Sequence, residues 1–255
     1  VSGAWAVELL KLRRAIVVWI ATPVLTLVVP FASIEAVALA RSPDVPGAAG
    51  EKFAPYATGP LAQAHLEVCG QVLAVAVLAV GGFAAAWCYA REFVDGTAGA
   101  LFGLAVQRRT LGLAKMLVLA VWLVLCVLAA IAVTALLTLA LGGVIDAAAW
   151  STLGVALGAG LLSVGLVLPF GWVATRTRSP LATVGVLIAL VAVTQVVVLL
   201  GAGTWFPYAV PSLWTGAGGR EAAAAIRAPA LALTAAVAPA AAVSIRWAWG
   251  RLTNV

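Results

Sequence analysis

Apolar residues run almost unbroken through six stretches of this chain, at about 15–38, 66–90, 111–141, 151–174, 180–201 and 226–249, with polar residues gathered between them. Each stretch meets or exceeds the ~20 residues a helix needs to cross a ~30 Å hydrocarbon layer. The runs are continuous and rich in Ala, Leu and Val, whereas barrel strands alternate. Helices also satisfy their own backbone in lipid. The pattern therefore predicts an all-α integral membrane protein with six transmembrane helices, a single transmembrane domain over 1–255. The third run is the longest and predicts a tilted helix, or one that extends past the hydrocarbon. The first run follows a basic stretch, is too long for a signal peptide and lacks a small-residue cleavage site, so it is expected to stay as a span. No repeat period and no soluble domain between spans can be discerned.

Composition agrees: hydrophobic types make up 64% of the chain, charged types 9%, and the mean hydropathy is +1.14. A soluble domain of this length needs about a quarter of its residues charged. The connections are short, so basic residues report orientation. Eleven (Lys11, Arg13, Arg14, Arg91, Arg108, Arg109, Lys115, Arg176, Arg178, Arg246, Arg251) fall on the side of the termini, against Arg41, Lys52, Arg220 and Arg227 opposite. Both termini are thus expected in the cytoplasm. The net charge of +6 is a topology signal and calls for no nucleic acid. Trp19, Trp87, Tyr89, Trp172, Trp247 and Trp249 fall near inner boundaries, and Trp150, Trp205, Tyr208 and Trp214 near outer ones, as amphipathic rings prefer. Cys69, Cys88 and Cys126 lie within apolar runs without metal-type spacing and are expected as buried free thiols. Abundant Ala and Val, with twelve Arg to three Lys, hint at a GC-rich bacterial genome.

Two connecting segments have helical character. Residues 3–14 form an interfacial helix pattern, with Trp5, Leu9, Leu12 and Ile16 on one face and Glu8, Lys11 and Arg14 facing away. Residues 91–115 open with Arg91 and Glu92, turn at 95–97 where Asp95 or Thr97 can cap a helix, and continue through Leu101, Phe102, Leu104 and Val106 to Arg108 and Arg109. A short amphipathic helix fixed at both ends to spans makes a docking knob that can transmit force. On the outer side, 202–222 is rich in aromatics, Gly and Pro, consistent with an aromatic belt and turns. Within the spans polar residues are few, and ionisable ones keep to the ends: Glu35, Glu67 and His65 lie near the outer boundary, His65 expected to be solvated. A proton-driven carrier normally needs buried acids or histidines in its path.

The 91–115 stretch resembles the ABC-2 type permeases of ATP-binding-cassette exporters, whose pattern there runs approximately E-F-x-x-G-T-x-x-x-L-x-x-x-P-V-x-R before a basic A-K. Glu92, Phe93, Gly96, Thr97, Leu101, Val106, Arg108, Arg109, Ala114 and Lys115 stand at matching spacing, while Ala105 replaces the common proline. Glu8, Lys11 and Arg14 are similar to the family's amino-terminal amphipathic helix. The resemblance implies a type V exporter-like fold, with 95–108 as a cytoplasmic coupling helix. It also implies two ATPase subunits, a second permease copy (identical or paralogous) and surrounding membrane lipids, in a bacterial cytoplasmic membrane. ATPase contact falls to Glu92, Gly96, Thr97, Leu101, Phe102, Arg108 and Arg109, with a smaller contact at 175–180 through Arg176 and Arg178. The substrate path falls to Gln71, Phe83, Thr194 and Gln195, and an outer re-entrant lid over 202–222 to Trp205, Phe206, Pro207, Pro211 and Trp214. The chain has no G-x-x-x-x-G-K-[ST] phosphate loop. It is therefore expected to bind no cofactor, with ATP and Mg held by the partner. The implied function is outward movement of a hydrophobic or amphipathic cargo (a drug, antibiotic, lipid or peptide). Two other classes stand beside it: a lipid-modifying membrane enzyme, for which Glu92 and Asp95 lack a third catalytic group, and a secondary carrier or assembly subunit.

Overall fold

The computed structural model describes residues 2–42, 56–99 and 107–252. Among the described residues six helices are long and apolar enough to cross a membrane: Ile16–Arg41, Leu61–Val94, Arg108–Ala140, Ala147–Thr177, Pro180–Leu199 and Ala228–Gly250, here spans 1 to 6. Spans 1 to 4 run past their apolar stretches because charged residues such as Glu92 and Arg108 continue the same helices. A separate amino-terminal helix, Ser2–Arg14, is divided from span 1 by the extended residue Ala15.

Proline shapes two of the spans. In span 1, Pro23 has no N–H to give and its ring crowds the preceding turn, so the helix widens into a π turn at Val24–Val28 before regaining α geometry at Val29–Arg41. In span 4, Pro169 starts a second segment, Pro169–Thr177, just after Ala147–Val167 ends.

Span 2 is the axis of the bundle and packs against spans 1, 3, 4 and 5. Between lipid-exposed helices burial of apolar surface gives little net drive, because lipid tails are as apolar as leucine. Close approach supplies the attraction, and span 2 is built for it: Gly70, Gly81, Gly82 and Ala84 to Ala86 are all buried. Leu73, Val77, Leu119, Leu123, Val127, Val167 and Phe170 fill the centre. Only 17% of the most apolar window of span 5 and 22% of that of span 6 are buried, against 56% for span 2. Spans 5 and 6 are therefore the perimeter, offering apolar faces to lipid or to another subunit.

Ser2–Arg14 and the end of span 6 lie at one end of the bundle, together with residues 91–99, 107–115 and 175–180. There the amino-terminal helix packs on span 3. Glu8 departs from the sequence expectation: it is buried on the same face as Ala4 and Leu12, while Leu9 is exposed. Ionic partners on spans 2 and 3 outweigh the apolar stripe in turning this helix. At the far end, Gly203–Trp205 packs on span 5, Val210–Trp214 on spans 2 and 4, and Arg220–Ala225 on Val210–Trp214. His65 corrects another expectation: it is buried there, with Nδ1 3.0 Å from Thr138 Oγ1. The hydroxyl of Thr138 supplies the polar partner that water was expected to provide. Cys69, Cys88 and Cys126 are free thiols, Cys69 and Cys126 fully buried.

Candidate functional site

The last turn of span 2 ends on Arg91 and Glu92, with Asp95 at its C-cap. Arg91 and Asp95, one turn apart, pair at 3.0 Å on the surface. Gly96 then takes φ 66°, a left-handed value that glycine adopts without a Cβ clash, and turns the chain out of the helix. A new helix opens at Ala98. The Thr97 hydroxyl makes a long contact back to the Glu92 carbonyl, 3.5 Å, and the residues a Thr97 cap would reach lie outside the described ones. The chain enters span 3 from Gln107, extended, through Arg108.

Glu92, on its helix, faces Lys115, two turns into span 3, and the amino-terminal helix brings Glu8 and Lys11 to the same point. Lys115 Nζ donates to Glu92 Oε1 at 2.6 Å and to Glu8 Oε2 at 2.8 Å. Lys11 Nζ donates to the same Glu92 Oε1 at 2.7 Å and to Glu8 Oε1 at 3.0 Å. Two carboxylates and two ammonium groups thus alternate around a closed ring. The side chains of Lys115, Glu8 and Glu92 are 3, 6 and 8% exposed, and that of Lys11 39%, so Lys11 is the ring's solvent edge. Burial pushes the Lys11 ammonium pKa down, but the hydrogen bonds and charges of Glu92 and Glu8 outweigh it and leave it above the ordinary 10.5. Glu92 Oε2 is buried with no hydrogen-bond partner. A cavity of about 430 Å³ opens beside the ring, bordered by Trp87, Arg91, Asp95 and Thr97.

A tightly packed layer backs the ring. Trp249 of span 6 is buried, its indole N–H donating to Thr175 Oγ1 at 3.1 Å and its ring meeting Tyr89 edge-on at 6.2 Å. Tyr89 donates to the Gly112 carbonyl at 2.9 Å. A Cβ on Gly112 would stand 2.5 Å from Trp249 Cγ, so only glycine lets span 3 approach span 6 this closely. Lys115 Nζ lies 6.0 Å from the centre of the Trp249 ring, which joins the two layers. At the tip between spans 4 and 5, Arg178 has φ 53°, and its guanidinium lies 5.4 Å from the Phe93 ring centre. Arg108 donates to the carbonyl of Leu252, tying the start of span 3 to the carboxy-terminal end.

The ring locks three separate stretches of chain together, and among the described residues no group of His, Cys, Asp and Glu is placed to hold a metal ion. Of the residues expected to touch an ATPase, Glu92 is buried in the ring, Gly96, Thr97 and Arg109 are exposed, and Arg108 is half-buried. Leu101 and Phe102 lie outside the described residues.

The expected path residues lie at different depths along spans 2 and 5. Gln71 sits at the far end, its amide donating to Tyr56 Oη at 2.6 Å and the Thr215 carbonyl at 3.0 Å. Phe83 is exposed twelve residues further along the same helix, ~18 Å away at ~1.5 Å per residue. Thr194 donates to the Leu190 carbonyl of its own helix at 2.7 Å, and Gln195 is exposed. Among the expected outer-lid residues, Trp205 is exposed, Phe206 lies 6.0 Å from Tyr208 between ring centres, and Trp214 covers Gly158. Sequence reasoning missed the ring because it set Glu8 and Lys11 on a solvent face. The available signal was opposite charge at both ends of 91–115, Glu92 and Lys115, beside a Glu-x-x-Lys pair that could satisfy both.

Among curated proteins none matches the chain. A family profile, described as ABC-2 family transporter protein, matches residues 5–202, which include the amino-terminal helix, the ring and spans 1 to 5. With most of its length covered, this multi-pass membrane protein belongs to the ABC-2 transporter family.

Proposed function

We propose that the chain is the membrane-spanning half of an ATP-driven exporter, working with a second permease copy and two separate ATPase subunits. Both termini face the cytoplasm of a bacterial cell, and the eleven-to-four bias of basic residues supports that orientation. The 95–108 connection and the adjoining Arg109 dock on the ATPase through Gly96, Thr97, Leu101, Phe102, Arg108 and Arg109, and the 175–180 tip makes a smaller contact. Cargo is hydrophobic or amphipathic, and Gln71, Phe83, Thr194 and Gln195 contribute to its path; Trp205, Phe206 and Trp214 belong to an outer gate. ATP and Mg stay on the partner.

The observation that carries this reading is the 2.6 Å contact between Glu92 and Lys115, which closes the connection at its base. A displacement of the docked connection then moves spans 2 and 3 as one piece and draws the amino-terminal helix with them. Glu92 acts inside this base and makes no partner contact of its own.

Purification of the tagged chain in mild detergent tests the proposal. Co-purification of a P-loop ATPase with the wild type, lost in Leu101→Asp/Phe102→Asp, is expected. Absence of any ATPase from folded protein would return the chain to a stand-alone membrane role. ATP-dependent accumulation of an amphipathic dye in inverted vesicles separates an exporter from an ion-driven carrier.

A further inference from the structure

A groove of about 740 Å³ runs between spans 1 and 3 on the outside of the bundle. Its walls include Val18, Leu27, Trp122, Leu125 and Ala129, and Arg13 stands at one end. The polar atoms nearest to it are already used. Thr22 donates to the Val18 carbonyl at 2.7 Å and accepts from Trp122 Nε1 at 3.1 Å, and Thr26 donates to the Thr22 carbonyl at 2.8 Å. The indole of Trp19 turns to the Arg13 carbonyl at 2.9 Å. The groove wall is therefore apolar, with one guanidinium at its mouth. Among the described residues no carboxylate forms an ion pair with Arg13.

The dimensions name the occupant. From Val18 to Leu27 is nine residues, ~14 Å at ~1.5 Å per residue. That is about half the ~30 Å hydrocarbon layer, the depth of one leaflet. The π turn at Val24–Val28 lies at the deep end, where the helix is widest and departs from an even α surface. We infer that this groove holds one anionic phospholipid of the leaflet facing the chain termini, an acyl chain along span 1 and the phosphodiester on Arg13. The site is independent of the transport reading, since it needs only a bilayer and this chain.

Native mass spectrometry of the purified protein, given phosphatidylglycerol and phosphatidylcholine of matched chains, tests the inference. The wild type is expected to retain phosphatidylglycerol about tenfold over phosphatidylcholine, the increment of one charge-assisted contact. Arg13→Gln should abolish that preference, whereas Arg14→Gln, an equal change of charge one residue away, should keep it. Ala129→Trp fills the groove and should remove retention of both lipids at an unchanged melting temperature. Equal retention of the two lipids by the wild type overturns the inference, as does an equal effect of Arg13→Gln and Arg14→Gln. Efficient cross-linking of two copies through Leu125→Cys would assign the groove to a second chain and overturn it too.

Discussion

Lys115 is the side chain whose loss the ring should tolerate least. It is 3% exposed and lies 2.6 and 2.8 Å from two carboxylate oxygens. At ~2.7 Å each attraction is gross ~6 kcal/mol for an effective dielectric constant near 20. Desolvation of the three buried groups cancels much of this. What remains is the asymmetry between removing one charge and removing a pair. Lys115→Leu leaves Glu8 and Glu92 both dependent on the half-exposed Lys11, a buried excess of negative charge that costs about 3–5 kcal/mol. Glu92→Leu/Lys115→Leu leaves Glu8 and Lys11, already 3.0 Å apart, as a neutral pair, so most of the loss should be recovered. Denaturant titration in detergent, followed by tryptophan emission, measures both, and Trp249 at 6.0 Å from Lys115 is a nearby reporter. A single variant costing less than ~1 kcal/mol, or a double variant no more stable than the single, would refute a charge-balanced ring.

Three further outcomes follow from the packing around the ring and at the far end. The raised pKa of Lys11 means that its contribution to stability is complete below its ordinary 10.5 and is lost as pH climbs through the higher folded value. Melting curves should show this alkaline decline, and Lys11→Arg, charged throughout, should move it upward in pH. Gly112→Ala sets a methyl 2.5 Å from the Trp249 ring and should cost about 1–3 kcal/mol in the same titration. Trp249→Phe in that background should return part of the loss by making room. Thr138→Val deprives buried His65 of its 3.0 Å partner and should destabilise the chain by about 1–3 kcal/mol, with Thr138→Ser near wild type.

Span number and helical class were legible because a bilayer demands long apolar runs, and nothing in the packing competes with that demand. Helix ends were less so: Glu92 read as connection and Arg108 as the end of the short cytoplasmic helix, yet each finds a partner and lies in the helix of a span. The amino-terminal helix shows where periodicity misleads. Its Leu9 and Leu12 suggest one apolar face, but Leu9 is exposed and Glu8 buried, because two lysines and Glu92 make burial of a carboxylate favourable. His65 misled in the same way, its partner Thr138 lying 73 residues distant in sequence. The 91–115 stretch stood out by its charges and turn, but the division of its described residues into buried Glu92 and Lys115 and exposed Gly96, Thr97 and Arg109 needed three dimensions.

With all four groups ionised, the ring carries two positive and two negative charges and sums to zero. A single charge carried across the whole membrane field costs about 2.3 kcal/mol for every 100 mV. A neutral quartet that moves as a unit does no such work, in either direction, whatever the potential across the membrane. The ring itself therefore adds no net charge displacement to any movement of the helices it joins.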